Sequence, residues 1–349
     1  MPDILDELSQ LGQVARVGTL RRRGFTDAAL RAALTAGIVT RPRHGWVATR
    51  RADPDQLRAI AHGARIGCFS ALRRFGVWAG TDLTLQLQVP HTASRVPRPT
   101  APEPAPPTPP RPPTPPPPLL RRAVAESPAP KKSVVDNAGV WHPSVPKYKR
   151  GKRKVRLASD AAPRVHWAVE LVPRAALDWI VSPQEALAEA VRCMDAEHAA
   201  AAIDSALHER MLSRRQVDTV LASVHRTSLV DGFTGAPESG VESLFVRRMA
   251  GAGFRVQPQV NLVGHGRYDG LLDGCVLFEV DGRGFHSGAD EFFADRDRSL
   301  IGQAFGVPVV RPSAQHVLEE WPMTFAAVAR TVADAKIVRQ YRGLPPVID

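Results

Sequence analysis

The chain has 349 residues, with 46 lysines and arginines against 35 acids and a formal net charge of +11. That length exceeds one ordinary core and points to two or three domains, and the basic excess favours a polyanionic partner, nucleic acid before an acidic membrane surface. Three scattered cysteines, Cys68, Cys193 and Cys275, exclude a disulfide framework, and without a CxxC pair they suggest no zinc. They are expected to be buried, reduced thiols.

The opening "MPDILDELSQ" lacks a signal peptide's apolar run, and no later stretch reaches the roughly 20 apolar residues of a membrane span. A cytoplasmic setting without a membrane is the expectation.

Residues 1–50 read as helix, helix, helix, then hairpin. "GQVARVGTLRRRG" offers a short helix closed by Gly24, Thr26 can cap "DAALRAALTAG", and "IVTRPRHGWVAT" alternates like two strands around His44 and Gly45. That order is a winged helix, with Arg31 on the recognition helix and Arg41, Arg43 and His44 on the wing, facing groove and phosphates. A small helical domain solvated by its arginines is the bland alternative.

Residues 51–95 and 157–230 form an α/β and helical middle region. Residues 54–75 read as one helix, "LTLQLQV" (83–89) as a half-buried strand, and "VHWAVEL", from Val165, as another. The stretch 182–224 is strongly helical, with Ser182 and Ser213 as caps and Pro183 in a first turn.

Between these pieces lies a linker, 96–156. Its start, "VPRPTAPEPAPPTPPRPPTPPPP", is mostly proline and suits a polyproline II spacer. Its end, "KYKRGKRKVR" (147–156), packs seven basic residues into ten positions. Lys149, Arg150, Lys152, Arg153 and Lys154 read as a phosphate-binding arm, or as a solvated basic loop.

From 236 the pattern alternates between α and β through 320, followed by a C-terminal helix and tail, 321–349. "ESGVESLFVRRMAGAG" is a helix, "FRVQPQVNLV" is extended, "RYDGLL" and "CVLFEVD" are strands about a DG turn, "SGADEFFADRDRSLIGQAFG" is a helix and "VPVVR" a closing strand. Period-two alternation puts Glu279 and Asp281 on one face and Phe278 and Val280 on the other. Two adjacent buried carboxylates repel unless a cation or protons compensate, and oxygen-only ligands favour Mg²⁺ or Mn²⁺. Glu242 also lies three residues after Ser239, the spacing of a capping box. Asp295 to Arg298 read as helix-surface ion pairs, with Gln303 an accessory.

In order and spacing, Glu242, Asp269, "EVDG" (279–282), "GFH" (284–286), "DRDR" (295–298) and "VPVVRP" resemble the PD-(D/E)XK nuclease superfamily, in its very-short-patch-repair endonuclease branch. The resemblance covers roughly residues 237–312. It implies a restriction-endonuclease-like α/β domain, a mixed sheet flanked by helices, with Asp269, Glu279 and Glu242 as metal ligands. Asp281 stands where the superfamily has lysine, and His286 takes the place of the histidine that the repair branch uses as base or water-positioning group. "TLRRRGFTDAALRAALTAGIVTRPRHGWVAT", "FSALRRFGVW" and the stretch from Ser182 resemble the AbiEi-type antitoxin and winged-helix regulator family.

The expectation is therefore an α/β (α+β) multidomain protein. Its function would be that of a Mg²⁺-dependent endonuclease on double-stranded DNA, with the resemblances implying a restriction-like role in phage defence. The alternative is a DNA-binding regulator or antitoxin-like protein with an inactive nuclease-like domain. A single chain and a homodimer both remain open. The nuclease reading sets one geometric condition. A strict two-residue turn at Asp273 and Gly274 would pair Leu272 with Cys275 and put Asp269 opposite Phe278, so a three-residue loop or a bulge is required.

Overall fold

A computed structural model describes residues 3–90, 93, 134–135, 141–142, 162–168, 177–228, 233–262, 266–281, 306–344 and 347. The chain is mixed α and β, with helices around several mixed sheets. Residues Thr100–Leu157 form a unit separate from the rest. Within that unit β5 (Val134–Val135) pairs antiparallel with β6 (Trp141–His142). Among the described residues no helix is long and apolar enough to cross a membrane.

The first segment runs α1 (Ile4–Gln10), β1 (Val14–Arg16), α2 (Val17–Arg22), α3 (Asp27–Thr35) and β2 (Trp46–Ala48). Thr26 caps α3 by accepting from the Ala29 N–H at 3.2 Å. The helix expected from Gly12 to Gly24 is shorter than its sequence suggests. Gly12 and Gln13 take positive φ, which ends α1, and Val14 and Ala15 are then buried as a strand antiparallel to β2. The expected hairpin is also reduced, because only its second arm is a strand. The first arm is a single bridge, Thr40 to Ala48. Leu8, Leu20, Leu30 and Val47 close this core.

The middle layer contains α4 (Pro54–His62), β3 (Arg65–Ile66), α5 (Cys68–Arg74) and β4 (Gln86–Pro90). One helix over 54–75 is thus two, broken at Gly63, which is left-handed (φ 69°), and restarted after β3. β4 lies between β3, antiparallel, and β7 (Arg164–Ala168), parallel. It is buried on both faces rather than half-buried, so Gln86 and Gln88 are interior. Their amides need internal partners there, and Gln86 finds His166 and Thr84. Helices α6 (Pro183–Cys193), α7 (Ala196–His208) and α8 (Arg214–Ser223) follow, α6 and α8 each opened by a capping box, at Ser182 with Glu185 and at Ser213 with Gln216. Cys193 is exposed, contrary to the expectation of three buried thiols.

The C-terminal part packs α9 (Gly240–Gly251), α10 (Ala314–Leu318) and α11 (Trp321–Tyr341) on one face of a four-stranded sheet, in which β8 is Val256–Leu262, β9 Gly266–Leu272, β10 Val276–Phe278 and β11 Val309–Val310. The strand order is β11-β10-β9-β8, with β10 parallel to β11 and the other pairs antiparallel. Phe245 of α9 lies 4.9 Å, ring to ring, from Phe278. Gly270 sits beneath that ring, where a Cβ would come within 2.5 Å of both Phe278 and the Gln257 carbonyl. On the opposite face Leu271, Leu277 and Val307 form a smaller core.

α9 is also held from behind. Asp204 of α7 is buried and accepts from the Ser243 hydroxyl (2.5 Å), Arg247 Nη2 (2.6 Å) and the Thr234 and Gly235 N–H groups (2.8 Å each). A buried carboxylate with four donors is well compensated, and it fixes the first turn of α9.

Candidate active site

The hairpin β9–β10 decides which face its acids occupy. Asp273 (φ 48°) and Gly274 (φ 69°) take the two positive φ values of a type I′ turn, and the Cys275 N–H donates to the Leu272 carbonyl at 2.9 Å. Cys275 then acts as an extra residue, because the ladder pairs Leu272 with Val276, Leu271 with Leu277 and Gly270 with Phe278. One more step along that register sets Asp269 opposite Glu279. A one-residue slip would invert the faces, and here the offset brings Asp269 to the acid face. Asp269 Oδ2 accepts from the Val280 N–H at 2.7 Å.

The register extends across the whole sheet. Pro258 with Gly270 and Val260 with Tyr268 bracket Gln259 against Asp269, and Leu277 with Val309 and Phe278 with Val310 lead to Glu279 against Arg311. Gln259, Asp269, Glu279 and Arg311 thus fall at neighbouring register positions across the sheet, although the ladder is interrupted at Gln259 (φ 56°) and Glu279 and Arg311 lie one residue past the ends of β10 and β11. Arg311 Nη2 lies 3.0 Å from Glu279 Oε2 and 3.4 Å from Asp281 Oδ1. Glu279 is buried, whereas the Asp281 side chain is half exposed at the rim.

Glu242 reaches in from the first turn of α9, where its own N–H donates to the Ser239 hydroxyl at 3.1 Å. Its carboxylate does not return to the Ser239 N–H as a capping box would. Oε1 accepts from Gln259 Nε2 at 2.7 Å and Oε2 from the Glu238 N–H at 2.8 Å. Gln259 Oε1 in turn accepts from Arg267 Nε at 2.7 Å, and Arg267 pairs with Glu238. Burial, with the charge of Asp269 second, pushes the Glu242 carboxyl up to about 8. Burial also raises Asp269, against the Val280 N–H that holds it down.

Acidic oxygens with raised proton affinity suit a hard divalent cation, which binds through one or two carboxylates and completes its shell with water and phosphate oxygens. Asp269 and Glu279 fit that role. Glu242 fits it less well than expected from sequence, since both its oxygens already accept N–H groups. The acids also form no trio with one ligand atom each within 4.8 Å of the others, and among the described residues the trio that does is Cys68, His166 and Cys193.

The remaining expected positions divide. Arg31, Arg41 and His44 are exposed. Arg43 is exposed as well, and its Nη1 donates to the Ile60 (3.0 Å) and Ala61 (3.3 Å) carbonyls at the end of α4. His286, the segment 295–298, Gln303 and the basic residues Lys149, Arg150, Lys152, Arg153 and Lys154 lie outside the described residues. Sequence reasoning missed Gln259 and Arg311. A polar residue inside "VQPQV" and an arginine ending "VPVVR" were the available signals, but neither has a partner nearby in sequence.

No family model and no curated protein matches this chain.

Proposed function

We propose that the chain is a metal-dependent DNA endonuclease whose centre is the row Asp269–Glu279–Arg311. The observation that carries this reading is the bulge at Cys275, which sets two carboxylates from adjacent strands on one face beside a buried third acid. The chemistry agrees with the resemblance of residues 237–312 to PD-(D/E)XK nucleases. Asp269 and Glu279 would hold Mg²⁺ or Mn²⁺, and a bound ion of that kind supplies an acidified water and neutralises charge on a phosphate. Arg311 brings to Asp281, from the neighbouring strand, the positive charge that a lysine at that position would carry. It is placed to meet a phosphate oxygen. Glu242 supports the row through Gln259.

DNA would be held by the N-terminal segment, whose order helix, strand, helix, helix, bridge, strand suits a winged helix. Beside Arg41 and His44 opens a cleft of about 690 Å³ lined also by Arg16, Arg21, Arg22 and Arg65. Such a cluster suits phosphates rather than base edges. Restriction of foreign DNA is the setting that fits both parts.

A second reading has its own support. Arg311 already neutralises Glu279 and Asp281 in part, as it would in a domain that binds DNA without cutting it. Incubation of the full chain with plasmid and Mg²⁺ or Mn²⁺ separates the two. The nuclease reading expects strand cleavage that Glu279→Ala abolishes while DNA binding survives. Retained binding with no cleavage of plain, mismatched or modified duplexes leaves the regulator.

A further inference from the structure

Three residues from distant parts of the chain meet on the other sheet. Cys68 opens α5, His166 lies in β7 and Cys193 ends α6, and one ligand atom from each lies within 4.8 Å of the other two. Cys68 is fully buried and has φ +46°, a backbone region that side-chain-bearing residues seldom occupy. Strain of that kind persists where the surroundings over-determine it, and often at functional positions.

The hydrogen bonds of Gln86 settle how His166 is oriented. Gln86 is fully buried, and its Nε2 donates to the Thr84 carbonyl at 3.2 Å, so its Oε1 is the atom 2.8 Å from His166 Nε2. An amide oxygen only accepts, so Nε2 carries a proton. The other ring nitrogen, Nδ1, is then the one turned toward Cys193 Sγ at 3.8 Å and Glu189 Oε1 at 3.0 Å. Glu189 offers a carboxylate, which only accepts, so Nδ1 also carries a proton in the metal-free chain. Loss of that proton to solvent on metal binding leaves a lone pair facing Cys193, with Nε2–H held by Gln86 as in a metal-bound histidine. Two sulfurs and one imidazole nitrogen select a borderline-soft ion.

We propose that Cys68, His166 and Cys193 bind a zinc ion, with water completing a tetrahedral shell. The ion would tie α5 and α6 to β7. Cys68 and His166 stand about a hundred residues apart in sequence, and a clip across so long a loop removes much freedom from the unfolded chain. The site shares no residue with the acidic row, so it stands or falls independently of the nuclease reading.

The test uses the full chain, reduced and stripped of metal, then titrated with Zn²⁺ and with Co²⁺ as a spectroscopic substitute. Expected are one zinc per chain and, for cobalt, a thiolate-to-metal charge-transfer band with the intense visible absorption of a tetrahedral ion. Cys193→Ser, at an exposed position, should lose most of that band and at least about tenfold in zinc affinity. Its metal-free melting temperature should match that of the metal-free parent. Cys275→Ser and Glu279→Ala should keep the band. If Cys193→Ser fails to fold, the cobalt spectrum of the parent alone decides. A reduced parent chain whose cobalt form shows no thiolate band overturns the assignment. So does a chain that oxidises to a Cys68–Cys193 disulfide while taking up no zinc when reduced.

Discussion

Asp269 accepts a hydrogen bond from the backbone N–H of Val280 across the bulged hairpin, and this contact locks the register that brings Asp269 opposite Glu279. Removing the acceptor leaves a half-buried donor unmet. Asp269→Ala should therefore lower the unfolding free energy by about 1–3 kcal/mol. Asp269→Asn keeps an oxygen for Val280 and should lose less. Urea unfolding of the two variants in chelator checks the order, and equal losses would show that the contact is not what holds the hairpin.

The protonation of Glu242 predicts how stability depends on pH. Its carboxyl is pushed up to about 8 in the folded chain from an ordinary 4.5, chiefly by burial and then by Asp269. A group raised on folding contributes fully below its unfolded pKa, and the contribution is lost as pH climbs through the folded value. With chelator present, stability should fall by a few kcal/mol between about pH 4.5 and 8. Glu242→Gln should flatten that slope, as followed by the urea midpoint across the range.

Arg311 is the counter-charge for a buried carboxylate. Arg311→Met removes the positive charge beside Glu279 and should cost about 3–5 kcal/mol in the absence of divalent ions. If Asp269 and Glu279 hold a cation, Mg²⁺ or Mn²⁺ should then raise the variant's melting temperature more than that of the parent chain. Equal shifts would argue against a cation at the row.

Arginines in the same short turn should behave differently. Arg43 caps two carbonyls at the end of α4, so Arg43→Ala should lower stability by about 1–2 kcal/mol. Arg41 lines the open basic cleft, so Arg41→Ala should leave the melting temperature unchanged while weakening duplex binding and reducing its salt dependence by about one phosphate contact. Salt titrations of DNA affinity and thermal melts of both variants separate these roles.

Asp204 tests the support behind the site. Asp204→Ala removes the acceptor of Arg247, Ser243 and two loop N–H groups, and should cost about 3–5 kcal/mol. Asp204→Asn, which retains one acceptor, should fall between that variant and the parent by the same unfolding assay.

Local order was legible along the chain. Cap residues at Thr26, Ser182 and Ser213, the pairing of Glu279 with Asp281 by alternation and the turn chemistry of Asp273–Gly274 all follow from neighbours within a few positions. Where tertiary packing intervened, the sequence pattern misled. Within the alternating "LTLQLQV", only Gln86–Val89 is an interior strand, between β3 and β7, while Leu83 stays exposed, and the stretch after Gly12 became a strand because β2 was there to pair with it.

The functional geometry was decided by contacts between distant segments. Cys275 is one residue in the sequence, but its extra place in the ladder determines the face that Asp269 occupies. Arg311 meets Glu279 only through the parallel step from β10 to β11, and Cys68, His166 and Cys193 come together from α5, β7 and α6. Amino-acid type alone established the supply of carboxylates, arginines and thiols and the local elements that carry them. Which of these share a face or a cluster depended on strand register and helix packing, because desolvation and Coulomb energies follow distance in space and not separation along the chain.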